Sequence, residues 1–114
     1  MPIIKSTDIK MNDVKMDGAE KIQGLNVISK DEGWNTNTMR LFRLLPGGHS
    51  PHHQHNWEHV NYITTGRGQL RLGEDIHELA VGDFAFVPPN IEHQYINPYD
   101  EDFEFICIVP YRET

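Results

Sequence analysis

The stretch Gly47-Gly48-His49-Ser50-Pro51-His52-His53-Gln54-His55-Asn56-Trp57-Glu58-His59 decides how this chain is read. Five of the 7 histidines in the 114-residue sequence fall between His49 and His59. Such a density is either a metal site or a solvated polar loop, and spacing has to separate the two. Residues two apart on a β-strand point to one face. His53 and His55 would then stand side by side, as neighbouring ligands of one ion must. Neutral imidazole suits that role, because it offers a nitrogen lone pair and titrates near neutrality. His59 lies beyond the short Asn56-Trp57-Glu58 break, where parity plus a bend can return it to the same face. His52 has the wrong parity, and His49 starts the segment beside glycines; with His77 they read as non-ligands, His49 at most a rim residue. Taken alone, His53-Gln54-His55 would as readily be a pair of solvent-facing residues.

Outward from this stretch, turn signals are dense. Asp31-Glu32-Gly33, Pro46-Gly47-Gly48, Gly66-Arg67-Gly68, Gly73-Glu74-Asp75, Gly82-Asp83, Pro88-Pro89-Asn90 and Asn97-Pro98-Tyr99-Asp100 all read as turns or loops. The segments between them are short, and several alternate with period two, as in Gln69-Leu70-Arg71-Leu72. Many short strands at this spacing predict an all-β sandwich or barrel. No long stretch shows a capped helical stripe. Phe103 to Val109 predicts a last strand with Phe103, Phe105, Cys107 and Val109 on one face. The other face carries Glu104, Ile106 and Ile108, so both faces need cover, one of them from another layer or another subunit. The first twenty residues are the most polar and predict an arm outside the core. In a closed β fold a further ligand is expected far away in sequence, and His93, just after Pro88-Pro89-Asn90, is the candidate.

Two spacings now coincide. Gly47, His53, His55 and Gly66, with His59 at the one changed place, follow a Gly, five residues, His-x-His, three or four residues, Glu, six residues, Gly. Gly82, Pro88, Asn90, His93 and Asn97 match a Gly, five residues, Pro-x-Gly, two residues, His, three residues, Asn. Together they resemble the paired motifs of the cupin superfamily, over about half of the chain. The chain departs in having His59 where most cupins have Glu, with Glu58 beside it as an alternative carboxylate. It departs again in having Asn90 for a Gly; asparagine is the next-best residue at positive φ. Trp57-Glu58-His59 and Phe105-Ile106-Cys107-Ile108-Val109-Pro110 are similar to a group of short four-histidine cupins.

The resemblance implies a double-stranded β-helix, a jelly-roll barrel, as a single domain over residues 1–114, with residues 1–20 as the arm and 39–109 as the barrel. It implies one divalent transition-metal ion on His53, His55, His59 and His93. Manganese is the first choice, and iron, nickel, copper or zinc are the others. An all-imidazole set leaves the ion its full charge and makes it the stronger Lewis acid. Four ligands on an octahedral ion would leave two positions for substrate and oxidant. Tyr95 and Asn97 share parity with His93. Tyr95, Phe105 and Cys107 are the candidate pocket residues, against a plain packing role for each; Asn97 reads as turn chemistry before Pro98. Trp57 and Glu58 would shape the entrance. Arg40, Arg43, Arg67 and Arg71 read as solvated strand faces. With no carboxylate among the inferred ligands or pocket residues, the expected activity is a metal-dependent oxidoreductase, dioxygenase-like, acting on a small organic molecule. A non-catalytic small-molecule or metal-binding module and a metal-dependent isomerase are the alternatives.

Composition narrows the partners. The net charge is -7, from 17 acidic and 10 basic residues, with no Lys/Arg cluster, which disfavours nucleic acid and anionic membrane surfaces. Cys107 is the single cysteine, so no intrachain disulfide forms. No apolar h-region opens the chain and no apolar run has membrane-spanning length, so a cytoplasmic setting is expected. The two-faced strand and the arm predict a homodimer.

Overall fold

The computed structural model describes residues 2–112. Among them helix is confined to two short 3-10 turns, Ser6–Asp8 and Lys30–Glu32. The rest is strand and loop: β1 Asn12–Asp13, β2 Glu20–Ile28, β3 Asn37–His49, β4 His59–Thr65, β5 Arg67–Leu72, β6 Asp75–Ala80, β7 Phe84–Val87, β8 His93–Ile96 and β9 Phe103–Pro110. They form one curled antiparallel sheet in the order β6-β5-β8-β3-β9-β4-β7, with β2 also on β3 and β1 on β2. This is the all-β barrel that the strand spacing predicted, curled as the resemblance implied. No helix of the described residues is long and apolar enough to cross a membrane.

Alternation sets the two faces. On β9, Phe103, Phe105, Cys107 and Val109 are buried while Glu104, Ile106 and Ile108 are only half-buried. Register carries that parity across the sheet. Leu44, Phe42 and Arg40 of β3 stand opposite Phe103, Phe105 and Cys107. Phe105 is the hub of the core: its ring stacks on Tyr95 at 4.5 Å and meets Phe103 at 5.2 Å and Phe42 at 5.8 Å between centroids. Ile22, Ile63, Leu70 and Val87 close round it.

Pro46-Gly47-Gly48 is not a turn. It lies inside β3, which pairs with β9 along its first two-thirds and reaches β8 only through His49 and Ile96. A turn was expected because Pro and Gly punctuate sequence; here they make a bend that carries one strand between two halves of the sheet. Gly47 has φ +82°, and a Cβ on Gly48 would sit 2.4 Å from the Lys21 carbonyl oxygen. Of Gly66-Arg67-Gly68, predicted as a turn, only Gly66 lies between strands, at φ +71°, while Arg67 and Gly68 already pair in β5. Asn97 is fully buried; its Nδ2 donates to the carbonyls of Leu44 (2.9 Å) and Glu101 (2.7 Å), and its Oδ1 accepts from the Tyr99 N–H (3.1 Å). The polar N-terminal segment is largely exposed, but it is tied down: β1 pairs with β2, and Val14 packs against the core.

Candidate metal centre

The segment carrying His53 and His55 is loop, not strand, apart from a single bridge. His53 and His93 exchange both backbone hydrogen bonds, N to O at 3.1 Å and 2.9 Å. That bridge, rather than strand parity, fixes the first two ligand candidates to β8. The Asn90 N–H then bonds the His55 carbonyl, and Asn90 takes φ +66°. The asparagine that replaces the motif glycine therefore makes the turn that brings His55 to His93. His59 starts β4, buried opposite Val87.

His53, His55 and His93 place one ring nitrogen each within 4.8 Å of one another, so these three can hold a metal ion. The Nε2 atoms of His53 and His55 are 3.1 Å apart. Two bonds of about 2.1 Å at right angles would put neighbouring ligands about 3.0 Å apart, so the pair fits one ion. His93 Nδ1 lies 3.0 Å from the Ile91 carbonyl, an acceptor only, so Nδ1 carries the proton and Nε2 keeps its lone pair. His59 is not in the trio whose nitrogens meet, although its ring, 4.8 Å from His93 and 5.5 Å from His55, is about as near as the trio's rings are to one another. Its Nδ1 is 3.2 Å from Cys107 Sγ, and its Nε2 is buried without a partner. A buried nitrogen without a partner, beside three ligand candidates, has the chemistry of a fourth ligand.

All four imidazoles are neutral near pH 7. Burial pulls His59 down to about 3, helped by the Arg40 charge and the neighbouring histidines. Burial also takes His55 down to about 4, with His53 and His93 adding to it. His53 and His93 are lowered as well, burial being the larger cause in each. Neutrality keeps the lone pairs available.

The cluster opens on a cavity of about 180 Å³. Val14, Ile22, Phe42, Trp57 and Phe105 supply apolar wall, and Tyr95 and Cys107 also line it. Tyr95 does not present a free hydroxyl: it donates to Asn61 Oδ1 at 2.6 Å, and burial holds its proton well above the usual range. Trp57 lies parallel to His55 at 4.3 Å, while Glu58 is not on the wall, so no carboxylate joins the site there. His52 pairs with Glu92 at 3.4 Å, His49 faces the Ser50 carbonyl, and His77 is exposed. Arg40 corrects the sequence reading. It is not a solvated face but a cavity residue, its Nη2 3.2 Å from Cys107 Sγ and 3.5 Å from His59 Nδ1. Arg43, by contrast, pairs with Glu104 at 3.0 Å on the opposite face.

The fold is a β-barrel whose histidine cluster could hold a metal ion, and a family model for the cupin domain matches residues 40–109. The chain belongs to the cupin family. It is 35% identical over 74 residues to 1-methylthio-D-xylulose 5-phosphate methylsulfurylase of Rhodospirillum rubrum, covering 65% of this chain and 47% of that protein. The chain thus spans about half the length of this curated relative. The polyketide cyclase RemF from Streptomyces resistomycificus is 26% identical, with TM-score 0.92 over 100% of this chain and 82% of that one. A cupin-2 domain protein from Rhodospirillum rubrum, 24% identical, superposes with TM-score 0.85 over 99% of this chain and 76% of that one, a likeness of fold.

Proposed function

We propose that this chain is a metal-dependent enzyme acting on a small organic molecule. In this reading His53, His55, His59 and His93 hold one divalent transition-metal ion, manganese first, and Tyr95, Phe105 and Cys107 form substrate wall. The observation that carries it is the meeting of four neutral imidazoles on a largely apolar cavity. A closed structural site has no use for such a space. When bound, the ion would supply Lewis-acid activation of an oxygen ligand and, if manganese, iron or copper, a redox centre. The chain's own residues position and exclude. His93 is held by Ile91, Trp57 covers one face of His55, and Phe105 keeps water from the inner wall. Tyr95 keeps its proton on Asn61 and is a wall, not an acid. No Asp or Glu among the described residues lines the cavity, so a carboxylate base is missing. That favours an oxidoreductase using dioxygen or a peroxide. A second reading, carbonyl chemistry without an oxidant, is favoured by the whole-chain likeness to a polyketide cyclase.

Protein stripped and reloaded with manganese, iron, nickel, copper or zinc should hold one ion per chain, and the His53→Ala/His93→Ala double variant none. Oxygen uptake by manganese-, iron- or copper-loaded protein on phenols, diketones or alkenes supports the oxidoreductase. Turnover by zinc-loaded protein under nitrogen supports the second reading. Stoichiometric metal with turnover of neither kind leaves a binding module.

A homodimer belongs to the same proposal, and the outer sheet face supports it. Register aligns Phe84, Tyr62, Ile106, Leu41 and Leu25 in one row across β7, β4, β9, β3 and β2. Phe86, Val60, Ile108, Met39 and Ile28 form the next row on that face. Phe84 is 76% exposed and Phe86 56%. Five strands about 4.8 Å apart make this band about 20 Å wide. It is uncharged and continuous, so a second copy can cover it about a two-fold axis. Sedimentation should show about twice the 13.2 kDa chain mass, and Phe84→Glu/Val60→Glu should return it to the monomer. A wild-type monomer at micromolar concentration would remove the dimer from the proposal.

A further inference from the structure

Two arginines stand at the metal cavity with no carboxylate to answer them. Arg40 shares the inward parity of Phe42 and Leu44 on β3, and its Nε is buried without a partner. Arg112 follows β9. Its guanidinium carbon lies 3.8 Å from the centre of the Trp57 ring, which in turn covers His55. The indole N–H of Trp57 is also buried without an acceptor. Among the described residues Arg43 pairs with Glu104 and His52 lies against Glu92, and neither contact involves these two arginines. Both arginines also line a neighbouring polar cleft of about 390 Å³ that includes Lys30 and Asp31; Asp31 pairs with neither.

This distribution runs against composition. The chain has 17 acidic residues and a net charge of -7, yet none of the described ones reaches the cavity wall. Arg40 is half-buried with its Nε out of water and no counter-charge, which is costly, and the exposed Arg112 beside Trp57 adds a second positive charge. A neutral apolar ligand would leave that cost standing and would add to it by removing the remaining water. An oxyanion would relieve it: arginine's planar fork matches carboxylate and phosphate geometry, and the charge-assisted bonds are the strong ones. A bound divalent ion would make the same cavity more positive still. We infer that the cavity takes an organic anion whose carboxylate or phosphate lies on Arg40 and Arg112, with its apolar body against Phe42, Trp57 and Phe105. The inference rests on the proposed function only in placing the far end of that anion near the histidines; the arginine subsite stands without the ion.

The test uses a Trp34→Phe background, so that Trp57 alone reports binding by fluorescence. Benzoate against benzamide, phenylacetate against phenylacetamide, and phenyl phosphate against phenol are titrated into metal-free and metal-loaded protein. At least one anion should bind about tenfold or more tighter than its neutral partner in both forms. Ranking benzoate against phenyl phosphate then says which oxyanion the subsite takes. Arg40→Gln or Arg112→Gln should abolish the preference while metal content stays at the wild-type level. Arg112 is exposed, so its variant tests the idea without risk to the core. Equal binding of every pair overturns the inference, as does a preference that survives in both variants. A preference seen only with metal loaded assigns the anion to the ion and overturns the arginine subsite. A failure of the metal reading would show separately, as absent stoichiometric metal with the anion preference intact in metal-free protein.

Discussion

Replacing His59 by alanine asks whether this buried imidazole is a ligand or only a wall. His59 is 4% exposed, its Nδ1 faces Cys107 Sγ, and its Nε2 has no partner. Cys107 Sγ can accept from both Arg40 Nη2 and His59 Nδ1, each 3.2 Å away. With the proton on Nδ1, Nε2 is a bare lone pair inside the protein, beside His93. Site affinities of about 10–16 kcal/mol shared over four ligands give about 2.5–4 kcal/mol each. Losing one ligand should therefore weaken metal binding by about two to three decades. Alanine also leaves a cavity, so stability must be read beside affinity. Competition with a chelator of known affinity at pH 7.5, for wild type, His59→Ala and His93→Ala, provides both controls. His93→Ala must lose the ion for the assay to be informative. If it does, and His59→Ala binds within about threefold of wild type while folded by circular dichroism, the four-ligand site is wrong and His59 is packing.

Asn97→Ala should cost about 3 kcal/mol in urea unfolding, since it orphans the Leu44 and Glu101 carbonyls and the Tyr99 N–H; a loss under about 1 kcal/mol would mean water replaces them freely. Gly48→Ala should destabilise by about 1–3 kcal/mol, because its Cβ meets the Lys21 carbonyl oxygen, which is backbone and cannot swing away; an unchanged denaturation midpoint would refute the close approach. Metal-free protein should lose stability as pH falls below 6.5. The folded His59 stays neutral down to about 3 while its unfolded counterpart, at 6.5, binds protons, so the unfolded state gains; at pH 5.5 this one group costs about 1.4 kcal/mol relative to pH 7.5 or above. Equal unfolding free energies at pH 7.5 and 5.5 would show that the metal-free histidines are solvated.

The residues that were legible in sequence are those whose chemistry depends on spacing along one segment. His53, His55 and His93 come together because two turns of fixed length end on one bridge, and the Asn90 turn is forced by its positive φ. The inner face of β9 was legible because burial alternates without interruption from Phe103 to Val109. Pro46-Gly47-Gly48 was misread because a bend inside a strand and a turn between strands use the same residues; only the pairing partner distinguishes them. Arg40 was misread for another reason. A charged side chain on a strand ordinarily faces solvent, and what turns Arg40 inward, its register with Cys107, lies far along the chain. Val14 at the cavity wall carried no local signal, since the segment around it is polar and its placement comes from β1 pairing with β2.

Around Cys107 the cavity holds more than the histidine cluster. One strand pair, β3 against β9, sets Arg40 opposite Cys107, and Asn61 of β4 stands opposite Cys107 on its other side. The sulfur therefore lies within reach of a guanidinium and of the fourth imidazole at once, while Asn61 holds the Tyr95 hydroxyl. A cation this close would repel a bound metal ion if nothing else intervened, which works against affinity for the ion. Selection for metal binding alone would place an apolar residue at position 40, as at Phe42 and Leu44 on the same inward face. An arginine there makes sense when a negatively charged group lies between guanidinium and ion during part of the working cycle. The same reasoning predicts that Arg40→Met, which keeps the length and apolar stem, should bind the ion at least as tightly as wild type. Its turnover or anion binding should fall instead. Chelator competition alongside the fluorescence titration decides the point: weaker metal binding in Arg40→Met would mean that Arg40 positions His59, and the electrostatic argument would fail.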